Sequence, residues 1–134
     1  MKLLLDTNVL VYDTVEDSEY HDEAVKVIDS AGEILIPPIV VHEYIWVMLK
    51  FSVDPDVIVI KIHEYLEDMR AKYLHESLRI IDHAFKMLKE DHASTRGIND
   101  YIILSLALNN KIDIATFDKG LKKIASKRRI NTVP

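Results

Sequence analysis

The stretch LLLDTNVL, residues 3–10, carries the first structural signal of the chain. Leu3, Leu4 and Leu5 form a short apolar run of the kind found in strands that are buried on both faces, and the run stops at Asp6. In an open parallel sheet, functional sites form where strands reach the carboxyl edge. An acid at that position can cap a turn or a helix, and it can equally be one corner of a metal site.

Composition predicts one folded domain over residues 1–134, because the chain is 49% hydrophobic and 29% charged. The chain has no cysteine, which excludes disulfides and thiolate metal sites. The most apolar later stretch, residues 36–51, is interrupted by two prolines, His42 and Glu43, so we expect no membrane span. Because no secretory signal is visible, we expect a cytoplasmic protein.

Strand-like and helix-like patterns alternate along the chain. Strands are predicted over residues 2–5, 33–38, 113–118 and 130–133, and helices over 17–32, 39–51, 54–72, 77–91, 99–110 and 119–127. Ser18 and Asp54 are the predicted caps of the first and third helices. Alternation requires crossover connections, so the pattern predicts an α/β fold with a short, mostly parallel sheet of four to five strands flanked by helices.

Four acids occupy positions that call for an explanation. Asp6 and Asp118 each follow an apolar strand, whereas Glu43 and Asp100 lie in apolar helices, where an unpaired buried carboxylate is costly. Asp100 also has a simple role available, since an acid near a helix N-terminus is stabilised by the helix dipole. Small polar side chains that can orient a carboxylate stand beside the two strand-end acids: Thr7, Asn8 and Thr116.

Convergence of the four acids would require protons or a cation. Two carboxylates ~5 Å apart repel each other by roughly 3 kcal/mol at an effective dielectric constant of 20. A site made only of oxygen ligands favours hard cations such as Mg²⁺ or Mn²⁺. The chemistry that such a site indicates is metal-assisted attack of water on a phosphodiester.

The ordered set of acids resembles the four acidic motifs of PIN-domain nucleases. The motifs are Asp6 in LLLDTNVL, Glu43 in IVVHEYIWVML, Asp100 in NDYIILSLAL and Asp118 in ATFDKGL. The chain is most similar to the VapC-like toxins of toxin–antitoxin pairs. The resemblance implies a PIN-like three-layer α/β fold, Mg²⁺- or Mn²⁺-dependent endoribonuclease activity, a homodimer and, for a toxin, an antitoxin on a separate chain. It further implies catalytic and metal-binding roles for the four acids and supporting roles for Thr7, Asn8 and Thr116.

Several alternatives stay open at this level. Glu64 also follows a histidine in an apolar helix, but Glu43 follows the second strand directly, where the family places its acid. The same motifs are compatible with a housekeeping RNA-processing nuclease, or with an RNA- or protein-binding regulatory module that cleaves little. Tyr44, Trp46 and Tyr65 are either core residues or part of an interface between copies.

The net charge and its distribution distinguish these alternatives only weakly. The net charge of −5 argues against a general nucleic-acid binder, which is usually basic. The basic C-terminal residues Lys127, Arg128 and Arg129 are either a solvated helix face or an RNA-binding rim that faces the phosphates.

Overall fold

Five short strands form a single parallel sheet. A computed structural model, which describes residues 1–134, places the strands in the order β3–β2–β1–β4–β5. All neighbouring pairs are parallel, which confirms the predicted α/β class and extends the predicted mostly parallel sheet to a fully parallel one. The strands are β1 (Lys2–Leu5), β2 (Glu33–Ile36), β3 (Ala71–Tyr73), β4 (Asp113–Ala115) and β5 (Thr132–Val133).

Helices flank the sheet and supply most of the remaining core. They are α1 (Thr7–Thr14), α2 (His21–Ser30), α3 (Pro38–Lys50), α4 (Pro55–Leu66), α5 (Leu78–Glu90), α6 (Ile98–Asn110) and α7 (Lys119–Lys127), with one 3-10 turn at Thr95–Gly97. None of the helices has the length and apolar character needed to cross a membrane.

Strand β1 lies at the centre of the sheet, between β2 and β4. Leu3, Leu4 and Leu5 are fully buried, and burial of each such side chain contributes roughly 1.5–3 kcal/mol to folding. The backbone N–H of Asp6 donates to the carbonyl of Ala115 at 2.9 Å. This bond aligns the carboxyl ends of β1 and β4, so the residues that follow the two strands lie at the same edge of the sheet.

Helix α1 begins directly after Asp6, where the sequence predicted only a strand followed by a turn. The Asp6 carboxylate caps it by accepting a hydrogen bond from the Thr7 backbone N–H at 2.8 Å. The β-branched residues Val9 and Val11 favour an extended backbone conformation, and both are buried together with Leu10. Burial on several sides removes the amphipathic pattern by which a helix is recognised.

Helix α2 begins later than predicted. It starts at His21, whereas the predicted helix begins at residue 17 with Ser18 as its cap. The Ser18 hydroxyl instead donates to the carbonyl of Val15 at 2.6 Å, which stabilises the turn between α1 and α2. A serine side chain forms hydrogen bonds with nearby backbone groups both at a helix N-cap and in a turn, so the sequence alone does not distinguish the two.

The predicted helix over residues 54–72 is shorter than expected and is followed by an unpredicted strand. Asp54 caps it as predicted, accepting from the Asp56 N–H at 2.8 Å, but α4 ends at Leu66. The edge strand β3 then pairs with β2, whose Ile34 N–H donates to the Arg70 carbonyl at 2.8 Å. Because β3 has three residues and two of them are exposed, it carries no apolar pattern to predict it from.

Arg70 fixes the chain just before β3. Its guanidinium pairs with the Asp68 carboxylate and donates to the carbonyls of Ile28 and Ala31, at 2.8 and 3.0 Å. These bonds tie the start of β3 to the end of α2.

A polar cluster joins the ends of three helices. Arg128, which follows α7, donates two hydrogen bonds of 2.9 Å to the Asp91 carboxylate, which follows α5. The Tyr101 hydroxyl, in the first turn of α6, donates to the same carboxylate at 2.7 Å. The hydrogen bonds from Arg128 lower the pKa of Asp91 to about 2. Arg128 is therefore a structural residue that holds α5, α6 and α7 together.

We expect Arg128→Gln to lower the free energy of unfolding by about 1–3 kcal/mol at neutral pH, because Asp91 keeps its charge and loses its charged partner. Since the folded-state pKa of Asp91 is depressed, the paired carboxylate stabilises the fold above about pH 4, and this contribution is lost as the pH falls toward about 2. Urea unfolding across that range measures the difference between variant and wild type. Arg129→Gln changes the neighbouring exposed arginine and serves as the control; an equal loss in both variants would contradict the assignment.

Candidate active site

All four predicted acids line one cavity at the carboxyl edge of the sheet. Asp6 follows β1, Glu43 lies on α3, Asp100 is in the first turn of α6, and Asp118 is the residue before α7. The cavity has a volume of about 270 Å³. Its other lining residues are Thr7, Asn8, Val11, Tyr12, Val47 and Phe51.

Asp6 is the most rigidly held of the four carboxylates. One of its oxygens accepts from the Thr7 N–H at 2.8 Å, and the other accepts from the Thr116 hydroxyl at 2.7 Å. Asp6 is only 6% exposed. Each carboxylate oxygen has two lone pairs, so both oxygens keep acceptor capacity for a ligand in the cavity.

The segment after β4 is tied to the same place. The Thr116 hydroxyl, which donates to Asp6, also accepts from the Asp118 N–H at 3.0 Å. The Asn8 side-chain oxygen accepts from the Phe117 N–H at 3.2 Å. The Asp118 carboxylate caps α7 through the Gly120 N–H at 2.8 Å. A capping oxygen still has a free lone pair, so capping leaves both Asp6 and Asp118 able to contact a ligand in the cavity.

The electrostatics of the cavity oppose ionisation. Burial raises the pKa of Asp100 to about 6, and the charges of Asp118, Asp6 and Glu43 add to this rise. Burial is also the main cause that raises the pKa of Asp6, and the charge of Asp118 adds to it. Burial likewise raises the pKa of Glu43, and the charge of Asp6 adds to that rise. Three carboxylates with raised pKa values around one cavity are a typical sign of a functional site.

The donor set fits a hard divalent cation. The polar side-chain atoms of the lining residues are all oxygens except the amide nitrogen of Asn8. Thr7 is 4% exposed, and its hydroxyl in the cavity wall faces the Glu43 carboxylate, whose pKa it lowers, without forming a hydrogen bond of ordinary length. A buried hydroxyl without a partner is costly, so the arrangement favours a ligand that supplies one.

No group of three or more Asp, Glu or His side chains in the structure is arranged to hold a metal ion. Mg²⁺ keeps several waters and takes substrate phosphates as ligands, so it does not require a closed cage of side chains.

Glu64, the alternative to Glu43, lies outside this cavity. Its carboxylate pairs with Lys61 at 2.9 Å, one turn earlier on α4. Glu43 forms no such ion pair and contributes to the cavity wall. The geometry therefore favours Glu43 as the fourth acid.

The basic residues at the C-terminus are not part of the cavity. None of Lys127, Arg128 and Arg129 is among the residues that line the cavity. Arg128 is already bound to Asp91. The predicted RNA-binding residues therefore do not contribute to the cavity wall, and of the three only Lys127 and Arg129 are without an ion pair to an acid.

The three aromatic residues that are candidates for an interface between copies differ in burial. Tyr44 is 1% exposed, and its hydroxyl lies 2.7 Å from the Thr14 hydroxyl, so it is a core residue. The Tyr65 hydroxyl donates to Asp13 at 2.5 Å, and burial raises the pKa of Tyr65. Trp46 alone among the three is exposed, at 80%. An interface role is therefore wrong for Tyr44 and does not fit Tyr65.

The apolar wall of the cavity was not predicted. Val11 and Tyr12 come from α1 and Val47 from α3, while Phe51 follows α3. Tyr12 packs edge-on against Phe117, with ring centroids 5.2 Å apart. The i, i+3, i+4 spacing of Asn8, Val11 and Tyr12 places them on one helical face, but that signal exists only once α1 is known to be helical.

Comparison with known proteins identifies the family and the fold of the chain. The PIN domain family model matches residues 3–127, so the chain belongs to the PIN-domain family. VapC20 from Mycobacterium tuberculosis, a sarcin–ricin loop cleaving toxin, superposes with a TM-score of 0.77 at 14% identity over 96% of each chain. VapBC2 from Rickettsia felis, bound to a DNA fragment from its promoter, superposes with a TM-score of 0.71 at 20% identity, over 98% of this chain and 97% of that one.

A toxin–antitoxin complex from Klebsiella pneumoniae gives a TM-score of 0.68 at 17% identity, over 98% of this chain and 96% of that one. No curated protein matches the sequence. At these identities the likeness concerns the fold, and it confirms the predicted PIN-like architecture.

We expect Asp100→Asn to raise the free energy of unfolding by about 1 kcal/mol above pH 6 when a chelator is present, because burial and then the neighbouring carboxylates oppose the charge that the variant removes. Since the folded-state pKa of Asp100 is raised, its ionisation destabilises the fold as the pH rises from about 4 to about 6. The gain therefore vanishes near pH 4. Urea unfolding at several pH values measures it, with Asp82→Asn, an exposed acid on α5, as the control. A variant no more stable than wild type at pH 8 would contradict the proposed cost of that charge.

Proposed function

We propose that this protein is a divalent-metal-dependent endoribonuclease that hydrolyses RNA phosphodiester bonds with Mg²⁺ or Mn²⁺. The observation that carries the proposal is the single cavity at the sheet edge, around which four carboxylates lie and three of them have raised pKa values. Membership of the PIN-domain family supports it.

Asp6, Glu43, Asp100 and Asp118 are the residues that would hold the cation. A bound Mg²⁺ or Mn²⁺ supplies charge stabilisation for the phosphodiester and lowers the pKa of water. A cation held there would lower the pKa values of Asp6, Glu43 and Asp100, which burial and, to a smaller extent, the neighbouring charges raise.

The supporting residues keep the acids in place. Thr116 holds both Asp6, through its hydroxyl proton, and the Asp118 backbone, through its lone pair. Asn8 fixes the segment between them by accepting from the Phe117 N–H. The unpartnered Thr7 hydroxyl is available to a water or a phosphate oxygen in the cavity. We propose these three as positioning residues.

Glu43 has a different role in this proposal. It is more exposed than Asp6, and its pKa is raised by burial and by the charge of Asp6. A carboxylate with a raised pKa is better suited to accept a proton near neutral pH. We propose that Glu43 holds the attacking water, or binds the cation together with the other acids.

A toxin role is the second part of the proposal. Its support is the likeness to VapC20, described as cleaving the sarcin–ricin loop, and to toxin–antitoxin complexes. An antitoxin on a separate chain would then inhibit the enzyme. A housekeeping RNA-processing nuclease would use the same cavity, and a regulatory module that cleaves little would bind RNA through it. Lys127 and Arg129 remain candidates for contacts with phosphates beyond the cavity.

A homodimer is the third part. Exposed apolar side chains are concentrated on α3 and α4, and exposed apolar surface often marks a protein interface. The exposed apolar residues on these two helices that lie outside the cavities are Leu49, Val57, Val59 and Ile60.

We expect cleavage of a mixed RNA substrate to require Mn²⁺ or Mg²⁺, to stop with chelator, and to fall at least 100-fold in Asp6→Asn and Glu43→Gln. Glu64→Gln is the matched control, because Glu64 stands in the same His-Glu-Tyr sequence but pairs with Lys61 outside the cavity. Gel analysis of end-labelled RNA measures the rates. Cleavage that survives Asp6→Asn, or that Glu64→Gln abolishes, would refute the assigned site.

We expect Ile60→Glu to convert a dimer into a monomer, because a charge on the apolar surface opposes its burial against a second copy. Sedimentation velocity at micromolar concentration measures the change. Leu78→Glu, at an exposed apolar position on α5, is the control. A wild-type protein that sediments as a monomer would remove the dimer from the proposal.

A further inference from the structure

A second cavity lies directly beside the acidic one. Its volume is about 210 Å³, and it is lined by Ile39, His42, Glu43, Trp46 and Asn99. Glu43 belongs to the walls of both cavities. Any ligand that reaches the acids is therefore within one side chain of this second space.

The same two helices build both cavities. On α3, Ile39, Glu43 and Trp46 are spaced at i, i+4 and i+7, which places them along one helical face. On α6, Asn99 immediately precedes Asp100, so the first turn of that helix gives one residue to each cavity. The second cavity is thus a lateral extension of the acidic site between α3 and α6.

The lining of this cavity has a specific chemical character. Trp46 is 80% exposed, so nothing in the chain covers its indole ring. Beside it lie an amide, from Asn99, and an imidazole, from His42. A large aromatic face next to hydrogen-bonding groups suits a planar heteroaromatic ring, which can stack on the face and present its polar edge to the side chains.

We infer that Trp46, Asn99 and His42 form a subsite for one unpaired nucleobase of the RNA, next to the phosphate that lies at the acids. The inference rests on the proposed nuclease function and narrows its substrate. A base in a duplex is stacked and paired, and its face is not available to Trp46. The subsite is therefore open only to a base that is not paired or stacked in a duplex.

Fluorescence tests the subsite without relying on cleavage, because Trp46 is the only tryptophan in the chain. Asp6→Asn protein with Mg²⁺ is titrated with an unstructured oligoribonucleotide, with the same oligomer carrying abasic positions, and with a duplex. We expect the unstructured oligomer to quench and shift the emission of Trp46, and the other two to leave it nearly unchanged. Equal effects of all three RNAs, or none from the unstructured RNA, would overturn the subsite.

Kinetics of the metal-loaded wild-type chain provide the second test. We expect Trp46→Ala to raise KM by about tenfold or more with kcat little changed, since loss of a stacked base weakens binding by that order. Trp46→Phe should recover most of the loss. Leu78→Ala, at an exposed apolar position on α5, should leave KM unchanged. Equal KM values for Trp46→Ala and wild type would overturn the subsite.

The two tests together separate the subsite from the proposed activity. Cleavage by wild type without a role for Trp46 refutes the subsite and leaves the nuclease in place. Quenching by unstructured RNA without any cleavage supports the subsite and refutes the nuclease. A changed sedimentation coefficient of Trp46→Ala with an unchanged KM assigns Trp46 to a protein interface, which also overturns the subsite.

Discussion

The rest of the structure depends on how the carboxyl ends of β1 and β4 are joined. The Asp6 N–H donates to the Ala115 carbonyl, and the Thr116 hydroxyl donates to the Asp6 carboxylate. Asp6 therefore joins the two strands through its backbone and contributes to the candidate site through its side chain. The same carboxylate caps α1. Because Thr116 also accepts from the Asp118 N–H, a shift between the two central strands would displace two of the four acids together. The position of the site is therefore a consequence of the sheet register.

The site is held at an energetic disadvantage that the surrounding packing offsets. Four carboxylates share a cavity, three of them have raised pKa values, and a buried Thr7 hydroxyl has no partner. Against this stand fully buried strands and the cluster that Asp91 forms with Arg128 and Tyr101. Residues that oppose folding in this way are typical of sites whose ligand supplies the missing interactions.

The two cavities show how helix geometry organises the proposed chemistry. Each of α3 and α6 places an acid in one cavity and a neighbouring side chain in the other, as Glu43 with Trp46 and Asp100 with Asn99 illustrate. A rigid helix keeps such neighbours at constant separation, so a phosphate bound at one cavity would set where its base can lie. Exposed apolar residues on α4, such as Ile60, lie outside both cavities.

The sequence by itself determined the central strands, the fully helical segments α3, α5 and α7, and the set of four acids, because these depend on local periodicity and on residue chemistry. It did not reveal α1, whose burial hides its amphipathic face, or β3, whose pairing with β2 decides its conformation. The partner of Arg128 and the exposure of Trp46 also came only from the tertiary structure. Such properties depend on residues far apart in the chain, and no local pattern encodes which of them will meet.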